Sequence, residues 1–174
     1  REYYLEDYSS GIALEDIVKD IEAEYNGYIT IANINNKLRE LSYEVKEDCN
    51  IEFLDTTNSD GSRVYFRTMS FIFIMACNEL FNKARVTIEH SLSKGLYWEV
   101  HTDTSLQEFD IKNIKNKMKD IIYKDYKIEK ISTTKSNAIN IFENHGMYEK
   151  AELLRYKEYD DVKIYKCNNY INHF

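Results

Sequence analysis

The segment SRVYFRTMSFIFIMACNELF, residues 62–81, decides the fold of this 174-residue chain. Its apolar side chains recur at helical spacing, at Tyr65, Met69, Ile72, Phe73, Ala76 and Leu80. A helix with so many apolar positions has to be covered, so we expect it to lie centrally against a sheet. Its apolar run at 71–77 is far too short to cross a bilayer.

The residues after this helix alternate between strand and helix patterns. Two strand-like runs, RVTIEHSL and GLYWEVHT, flank the turn residues SKG. The amphipathic helix FDIKNIKNKMKDIIYKDY, the strand KIEKIST, the helices TKSNAINIFENHG and MYEKAELLRY and a last strand VKIYKC follow. Residues 62–174 therefore predict an α+β domain of sheets and helices.

The residues before the central helix predict a smaller domain. REYYLE is typical of a strand, ALEDIVKDIEAEY of an amphipathic helix, and YITIANI, KLREL and NIEFLD of three further strands. This order predicts a small β-grasp roll over residues 1–56. The turn signal Asp60-Gly61 marks a linker at 57–61, so the whole chain is expected to be α+β in two domains, 1–56 and 62–174.

Composition limits the function classes. Hydrophobic residues make up 43% of the chain and charged residues 30%, which is typical of a globular protein. A net charge of −7 gives no overall basic field for nucleic acid or anionic membrane. Cys49, Cys77 and Cys167 are widely spaced and indicate neither a disulfide framework nor a zinc site. The start, REYYLEDYSS, lacks a signal-peptide core, so we expect a cytoplasmic protein with no membrane partner.

Particular residues resemble threonyl-tRNA synthetases. The stretch IANINNKLRELSYEVKEDCNIEFLDTTNSDGSRVYFRTMSFIFIMACNELF is similar to the junction between the TGS domain and the editing domain of that family. GLYWEV resembles the family's GFYYD strand, and the helix, strand and helix after residue 108 resemble the segment that follows it. The resemblance covers nearly the whole chain and implies a TGS-like domain followed by an editing-like domain.

Two other stretches resemble a different group. IEHSLSKGLYWEV and KIYKCNNYINHF are similar to the N-terminal region of bacterial uridine kinase-like proteins of the phosphoribulokinase/uridine kinase family. This resemblance implies a non-catalytic ligand-binding or regulatory module, with no cofactor of its own. The parent protein would be a nucleoside kinase whose ATP and magnesium bind in a separate kinase domain, the module's partner. The module's own ligand would be a nucleotide, a nucleoside or RNA.

The chain departs from the synthetase pattern at the catalytic positions. Arg67 and Phe71 stand where the family has an HxxxH pair, and the later DLCRGPH cysteine would fall near Phe174, so the editing-like domain would be truncated. Neither arginine nor phenylalanine ligates a metal. We therefore expect no zinc and no catalytic residue. Two alternatives stay open, an aminoacyl-ester deacylase with a degenerate site and a purely structural scaffold.

The stretch HSLSKG, residues 90–95, carries the candidate ligand site. One interpretation is an ordinary β-turn of Ser, Lys and Gly. The other is an electropositive cleft beside Arg67 in which polar side chains hold an anion by charge-assisted hydrogen bonds. The candidate ligand-binding residues are His90, Ser91, Ser93, Lys94, Gly95, Tyr97 and Arg67. Two further histidines, His101 and His145, are expected at a strand end and a helix end.

Overall fold

The structure is a computed structural model that describes residues 5–81, 84–92, 95–103 and 105–173. It confirms the α+β class, with five α-helices and several small sheets in the described part. The chain packs as two compact units, Arg1–Ser70 and Phe71–Phe174, and the division falls inside the central helix. The domain boundary predicted at 57–61 stays a prediction.

The amino-terminal unit contains a three-stranded antiparallel sheet and a two-stranded pair. Its elements are β1 (Ile12–Ala13), α1 (Leu14–Ile21), a 3-10 turn (Glu22–Glu24), β2 (Ile29–Ile34), β3 (Lys37–Arg39), β4 (Glu44–Val45) and β5 (Ile51–Asp55). The sheet order is β3-β2-β5, and β1 pairs with β4. Asn35 and Asn36 have positive φ angles of 47° and 64°, which suit the tight turn between β2 and β3.

The core of this unit joins α1 to the sheet. Leu14, Ile17 and Val18 recur on one face of α1 and are buried. They belong to one cluster with buried side chains of the sheet, Ile29, Ala32, Ile34 and Phe53. Burial of apolar side chains contributes about 1.5–3 kcal/mol for each large residue, so this cluster stabilises the fold of the unit.

The first strand was predicted at the wrong place. Residues 1–4 of the predicted strand REYYLE lie outside the described residues, and residues 5 and 6 form no strand. The first described strand is β1, in which Ile12 lies opposite Val45 and Ala13 opposite Glu44. A two-residue pair like this is set by the tertiary fold, because it is too short to show an alternation of apolar and polar residues.

The central helix α2 (Ser59–Leu80) begins three residues earlier than its apolar pattern predicts. Asn58 caps it, since its side-chain oxygen accepts a hydrogen bond from the Asp60 amide at 2.9 Å. The Asp55 carboxylate stabilises the preceding loop. It accepts hydrogen bonds from the Thr57 hydroxyl at 2.5 Å and from the Gly27 amide at 3.1 Å. The hydrogen bond from the Thr57 side chain, with the backbone amides, lowers the pKa of the Asp55 carboxyl.

The carboxyl-terminal unit contains the second half of α2 and two further sheets. Its elements are β6 (Arg85–Leu92), β7 (Gly95–His101), α3 (Glu108–Tyr123), β8 (Ile128–Thr134), α4 (Lys135–Asn144), α5 (Tyr148–Arg155), β9 (Asp161–Cys167) and β10 (Tyr170–Asn172). β6 and β7 form a hairpin, and the other sheet has the antiparallel order β10-β9-β8. The strand β10 had not been predicted.

Two apolar cores hold this unit together. One surrounds α2 and contains Phe71, Ile72, Met75, Ala76, Cys77, Ile114, Ile121 and Cys167. The other lies between α4, α5 and the sheet and contains Ala138, Phe142, Ala151, Leu154, Val162, Ile164 and Ile171. The apolar stripe of the central helix is therefore covered, as its pattern predicts. In the described part of the chain, none of the helices has the length and apolar character required to span a membrane.

Candidate functional site

The hairpin predicted around HSLSKG is present, but its tip lies outside the described residues. His90 lies opposite Tyr97, Ser91 opposite Leu96 and Leu92 opposite Gly95. His90 and Ser91 are thus strand residues of β6, next to an irregularity in register between Ile88 and His90. Ser93 and Lys94 fall outside the described residues, so the convergence of these side chains on a cleft stays a prediction.

Two neighbouring aromatic residues on strand β7 have different environments. Tyr97 is exposed at its surface, whereas Trp98 packs against Phe73 with ring centroids 4.5 Å apart. This difference follows from strand alternation, which turns neighbouring side chains to opposite faces. Two of the candidate ligand residues on this strand, Gly95 and Tyr97, are exposed.

The two positions at which the synthetase resemblance implies histidines, 67 and 71, have different surroundings in the structure. Arg67 is exposed on α2. Phe71, one turn further, is only 2% exposed and meets Tyr170 edge to face, with ring centroids 5.1 Å apart. An aromatic contact of this geometry is favourable in an apolar environment. Position 71 is therefore part of the core and offers no ligand atom.

A polar cluster that the sequence pattern does not indicate lies at Asn172, two residues after Tyr170 on β10. The ammonium group of Lys150, on α5, donates a hydrogen bond to Oδ1 of Asn172. The same oxygen accepts from the His173 amide at 2.8 Å, and Asn172 is 2% exposed. We call Lys150 and Asn172 the lysine–asparagine pair.

Burial changes the titration of this lysine. It lowers the pKa of Lys150 to about 8, because the charged ammonium loses its hydration. Its described hydrogen bond goes to a neutral amide. A partly buried cation whose partner is neutral is energetically unfavourable, and groups with shifted pKa values of this kind concentrate at functional sites. Lys150 can therefore bind an anionic group or exchange a proton near neutral pH.

The core around Phe71 contains two polar groups whose burial disfavours their ionised forms. The hydroxyl of Tyr170 is buried without a hydrogen-bond partner among the described residues, and burial raises its pKa. Burial also raises the pKa of the Cys77 thiol to about 11, so the thiol stays protonated at neutral pH and is a poor nucleophile. Proton transfer or nucleophilic attack by either group is thus disfavoured.

Three of the histidines contact polar groups within the carboxyl-terminal unit. His101 lies 3.3 Å from the carboxylate of Glu99 on the same strand. His145 ends α4, with Nδ1 2.8 Å from the Ile141 carbonyl oxygen, and His173 has Nδ1 2.9 Å from the Lys163 carbonyl oxygen. Across the described ranges, no group of three or more His, Cys, Asp or Glu side chains is placed to hold a metal ion.

An open depression elsewhere in the carboxyl-terminal unit offers little to an anion. Its volume is about 550 Å³, and its lining includes Arg85 and Arg155. Arg85 lies 3.4 Å from a carboxylate oxygen of Glu149, and Arg155 is paired with both Glu143 and Glu152. Because these carboxylates already neutralise the guanidinium groups, the lysine–asparagine pair is the stronger candidate site.

Sequence reasoning missed this pair for a physical reason. Lys150 precedes buried Ala151 on a short helix, where a lysine is ordinarily solvated, and Asn172 belongs to the unpredicted strand β10. The synthetase resemblance does give one indication of a site here. It implies that the family's later cysteine motif would fall near Phe174, two residues after Asn172 in the sequence.

Comparison with known proteins supports the synthetase resemblance. The chain is 26% identical over 167 residues to the threonine–tRNA ligase of Acetivibrio thermocellus, an alignment that covers 95% of this chain and 26% of the ligase. It is 27% identical over 151 residues to the threonine–tRNA ligase of Pelagibacter ubique, covering 86% of this chain and 24% of that enzyme. A third such ligase, from Clostridioides difficile, is 23% identical over 167 residues.

These relatives are much longer than the aligned region. The chain spans about a quarter of the length of the curated relatives it matches. No protein-family profile matches the chain. None of these relatives is named a kinase, so the comparisons give the uridine kinase resemblance no support. The chain is similar, over nearly all of its length, to a part of threonine–tRNA ligases.

Proposed function

We propose that the chain is a synthetase-associated binding module that holds the 3′ end of an RNA, or a nucleotide resembling it, without hydrolysing an ester. The observation that carries this proposal is the burial of Phe71, which is 2% exposed and packed against Tyr170 at a position where the synthetase resemblance implies a ligating histidine. The relatives' names say that those enzymes act on tRNA, which supports an RNA ligand.

The chemistry of the site supports binding over hydrolysis. Zinc requires imidazole, thiolate or carboxylate ligands, and neither Arg67 nor Phe71 provides one. Ester hydrolysis without a metal requires a base that activates water, and Lys150, whose pKa is about 8, is mostly protonated at pH 7 and so is a weak base there. The lysine–asparagine pair instead places a cation and an amide together, which suits a phosphate, a carboxylate or a carbonyl oxygen. The deacylase alternative is therefore the weaker one.

The finer assignment to a uridine kinase-like parent stays a prediction. It rests on the stretches IEHSLSKGLYWEV and KIYKCNNYINHF. Under that assignment the module would regulate or position an ATP- and magnesium-dependent kinase domain outside residues 1–174. The binding proposal stands independently of it, because the lysine–asparagine pair lies within this chain.

We expect binding of an RNA oligonucleotide ending in CCA to depend on pH through Lys150. Anion binding favours the charged ammonium, so affinity should be constant below pH 8 and fall as pH rises above about 8, the pKa of Lys150 in the free protein. Lys150→Met should remove this dependence. It should also weaken binding at pH 7 by about 10- to 100-fold, the effect of one charge-assisted hydrogen bond. Fluorescence anisotropy at several pH values measures both effects.

The matched control is Lys119→Met, which removes the same charge from an exposed position on α3. It should weaken binding less than twofold and keep the decline above pH 8. Equal losses in the two variants would show that Lys150 acts only through net charge, and pH-independent binding by the unmodified chain would contradict the proposed contact.

A further inference from the structure

Three aromatic rings form an exposed cluster in the amino-terminal unit. The rings of Tyr28 and Tyr65 are nearly parallel, at 4°, with centroids 6.4 Å apart. Phe66 meets Tyr65 edge to face at 6.1 Å. Tyr28 is 67% exposed and Phe66 38% exposed, so ring surface faces solvent instead of a core. We call Tyr28, Tyr65 and Phe66 the aromatic patch.

The contact between β2 and α2 sets the geometry of this patch. Thr30, on β2, donates a hydrogen bond through Oγ1 to the Gly61 carbonyl oxygen at 2.8 Å. Residues 61 and 65 share one face of the helix. Tyr28, two residues before Thr30, contacts the ring of Tyr65 on that face. Gly61 also allows the close approach of α2 to the end of β5, because a Cβ there would lie 2.0 Å from the Asp55 carbonyl oxygen.

Two arginines of α2 lie close to Phe66 in sequence, and Arg63, three residues before Phe66, shares a face of the helix with it. Arg63 and Arg67 are exposed and lie one turn apart on α2, on either side of Phe66 in the sequence. Arg63 pairs with Asp60 at 3.1 Å, with 63% of the Arg63 side chain and 38% of the Asp60 side chain exposed, and such a solvent-accessible pair is weak. Arg67 makes no ion pair with a described residue. Residues 59–70 carry two arginines and one aspartate, a net charge of +1, in a chain whose net charge is −7.

We infer that the aromatic patch stacks unpaired bases of a single-stranded RNA while Arg67 and Arg63 contact its phosphates. Open aromatic faces beside guanidinium groups match the alternation of flat bases and charged phosphates along a single strand. This inference deepens the proposed function, on which it rests for the class of ligand, and it assigns a second contact surface separate from the lysine–asparagine pair.

The test is the binding of fluorescently labelled hexauridine and hexaadenylate, measured by anisotropy. Tyr28→Ala and Phe66→Ala should each weaken binding by about 5- to 100-fold, the cost of losing one stacked base. Tyr28→Phe should bind within twofold of the unmodified chain, since it keeps the ring. The matched control is Tyr123→Ala, which removes a 91% exposed tyrosine from α3 and should change nothing. Circular dichroism verifies that each variant is folded.

The salt dependence tests the phosphate contact separately. Arg67→Ala should reduce the slope of log affinity against log salt by about 0.7, and Arg67→Lys should preserve that slope. Uridine monophosphate should bind far more weakly than hexauridine if a strand is the ligand. Equal affinity for the two would mean a nucleotide site, and equal effects of Tyr28→Ala and Tyr123→Ala would overturn the inference. The hexamers lack a CCA end, so failure of the Lys150 contact leaves this result unaffected.

Discussion

Phe71→Ala is expected to lower the free energy of unfolding of the carboxyl-terminal unit by about 3–5 kcal/mol. The side chain is 2% exposed and belongs to the same core as Met75 and Cys77, with its ring against Tyr170. Truncation loses both the burial of the ring and the packing of its neighbours, because the surrounding core cannot fill the space completely.

Urea denaturation followed by tryptophan fluorescence measures this effect. Trp98 is the single tryptophan of the chain and packs on Phe73, so it reports on this unit. The matched control is Phe109→Ala, which truncates a phenylalanine that is 64% exposed and should cost less than about 0.5 kcal/mol. A loss below about 1 kcal/mol for Phe71→Ala would mean that position 71 faces an open, hydrated site, as a catalytic position would.

Gly61→Ala is expected to destabilise the amino-terminal unit by about 3 kcal/mol, the upper end for overpacking. The added Cβ would lie 2.0 Å from the Asp55 carbonyl oxygen and 3.1 Å from the Leu54 carbonyl oxygen, and these backbone atoms belong to β5. Helix propensity alone predicts the opposite sign, a gain of about 1 kcal/mol for alanine over glycine. The sign of the change therefore decides whether close packing controls this position.

Native-state hydrogen exchange of the β2 amides measures this change, because β2 lies in the centre of the amino-terminal sheet. Protection should fall by roughly 100-fold in Gly61→Ala, which corresponds to about 3 kcal/mol. Ser59→Ala, an exposed position in the first turn of the same helix, provides the control and should leave protection nearly unchanged. Increased protection in Gly61→Ala would contradict the close approach of α2 to β5.

The elements that the sequence predicts correctly are those with a repeating pattern. The apolar spacing in 62–81 and 109–126 corresponds to α2 and α3, and the alternation in 28–34 corresponds to β2. The strands β1, β4 and β10 have two or three residues each, so they contain no period to detect. Their positions depend on partners that are distant in sequence, which a local pattern cannot specify.

The candidate site also has one part that the sequence predicts and other parts that it does not. The hairpin around residues 90–95 follows from turn chemistry and from family resemblance, although its tip is not described. The lysine–asparagine pair could not be predicted from spacing, because its two members lie on different elements 22 residues apart. The aromatic patch likewise depends on the packing of β2 against α2. Sequence patterns readily show which residues of one helix or strand are buried. They do not show which polar side chains from two different elements come into contact.

The central claim is that this module binds an RNA end and does not hydrolyse it. The most direct measurement is the half-life of an amino-acid ester on the 3′ end of an RNA that is saturated with excess protein. We expect saturable binding and an ester half-life within twofold of that in buffer, with or without added zinc. A half-life shortened 100-fold or more, and restored by Lys150→Met or by a metal chelator, would contradict the claim and establish a deacylase.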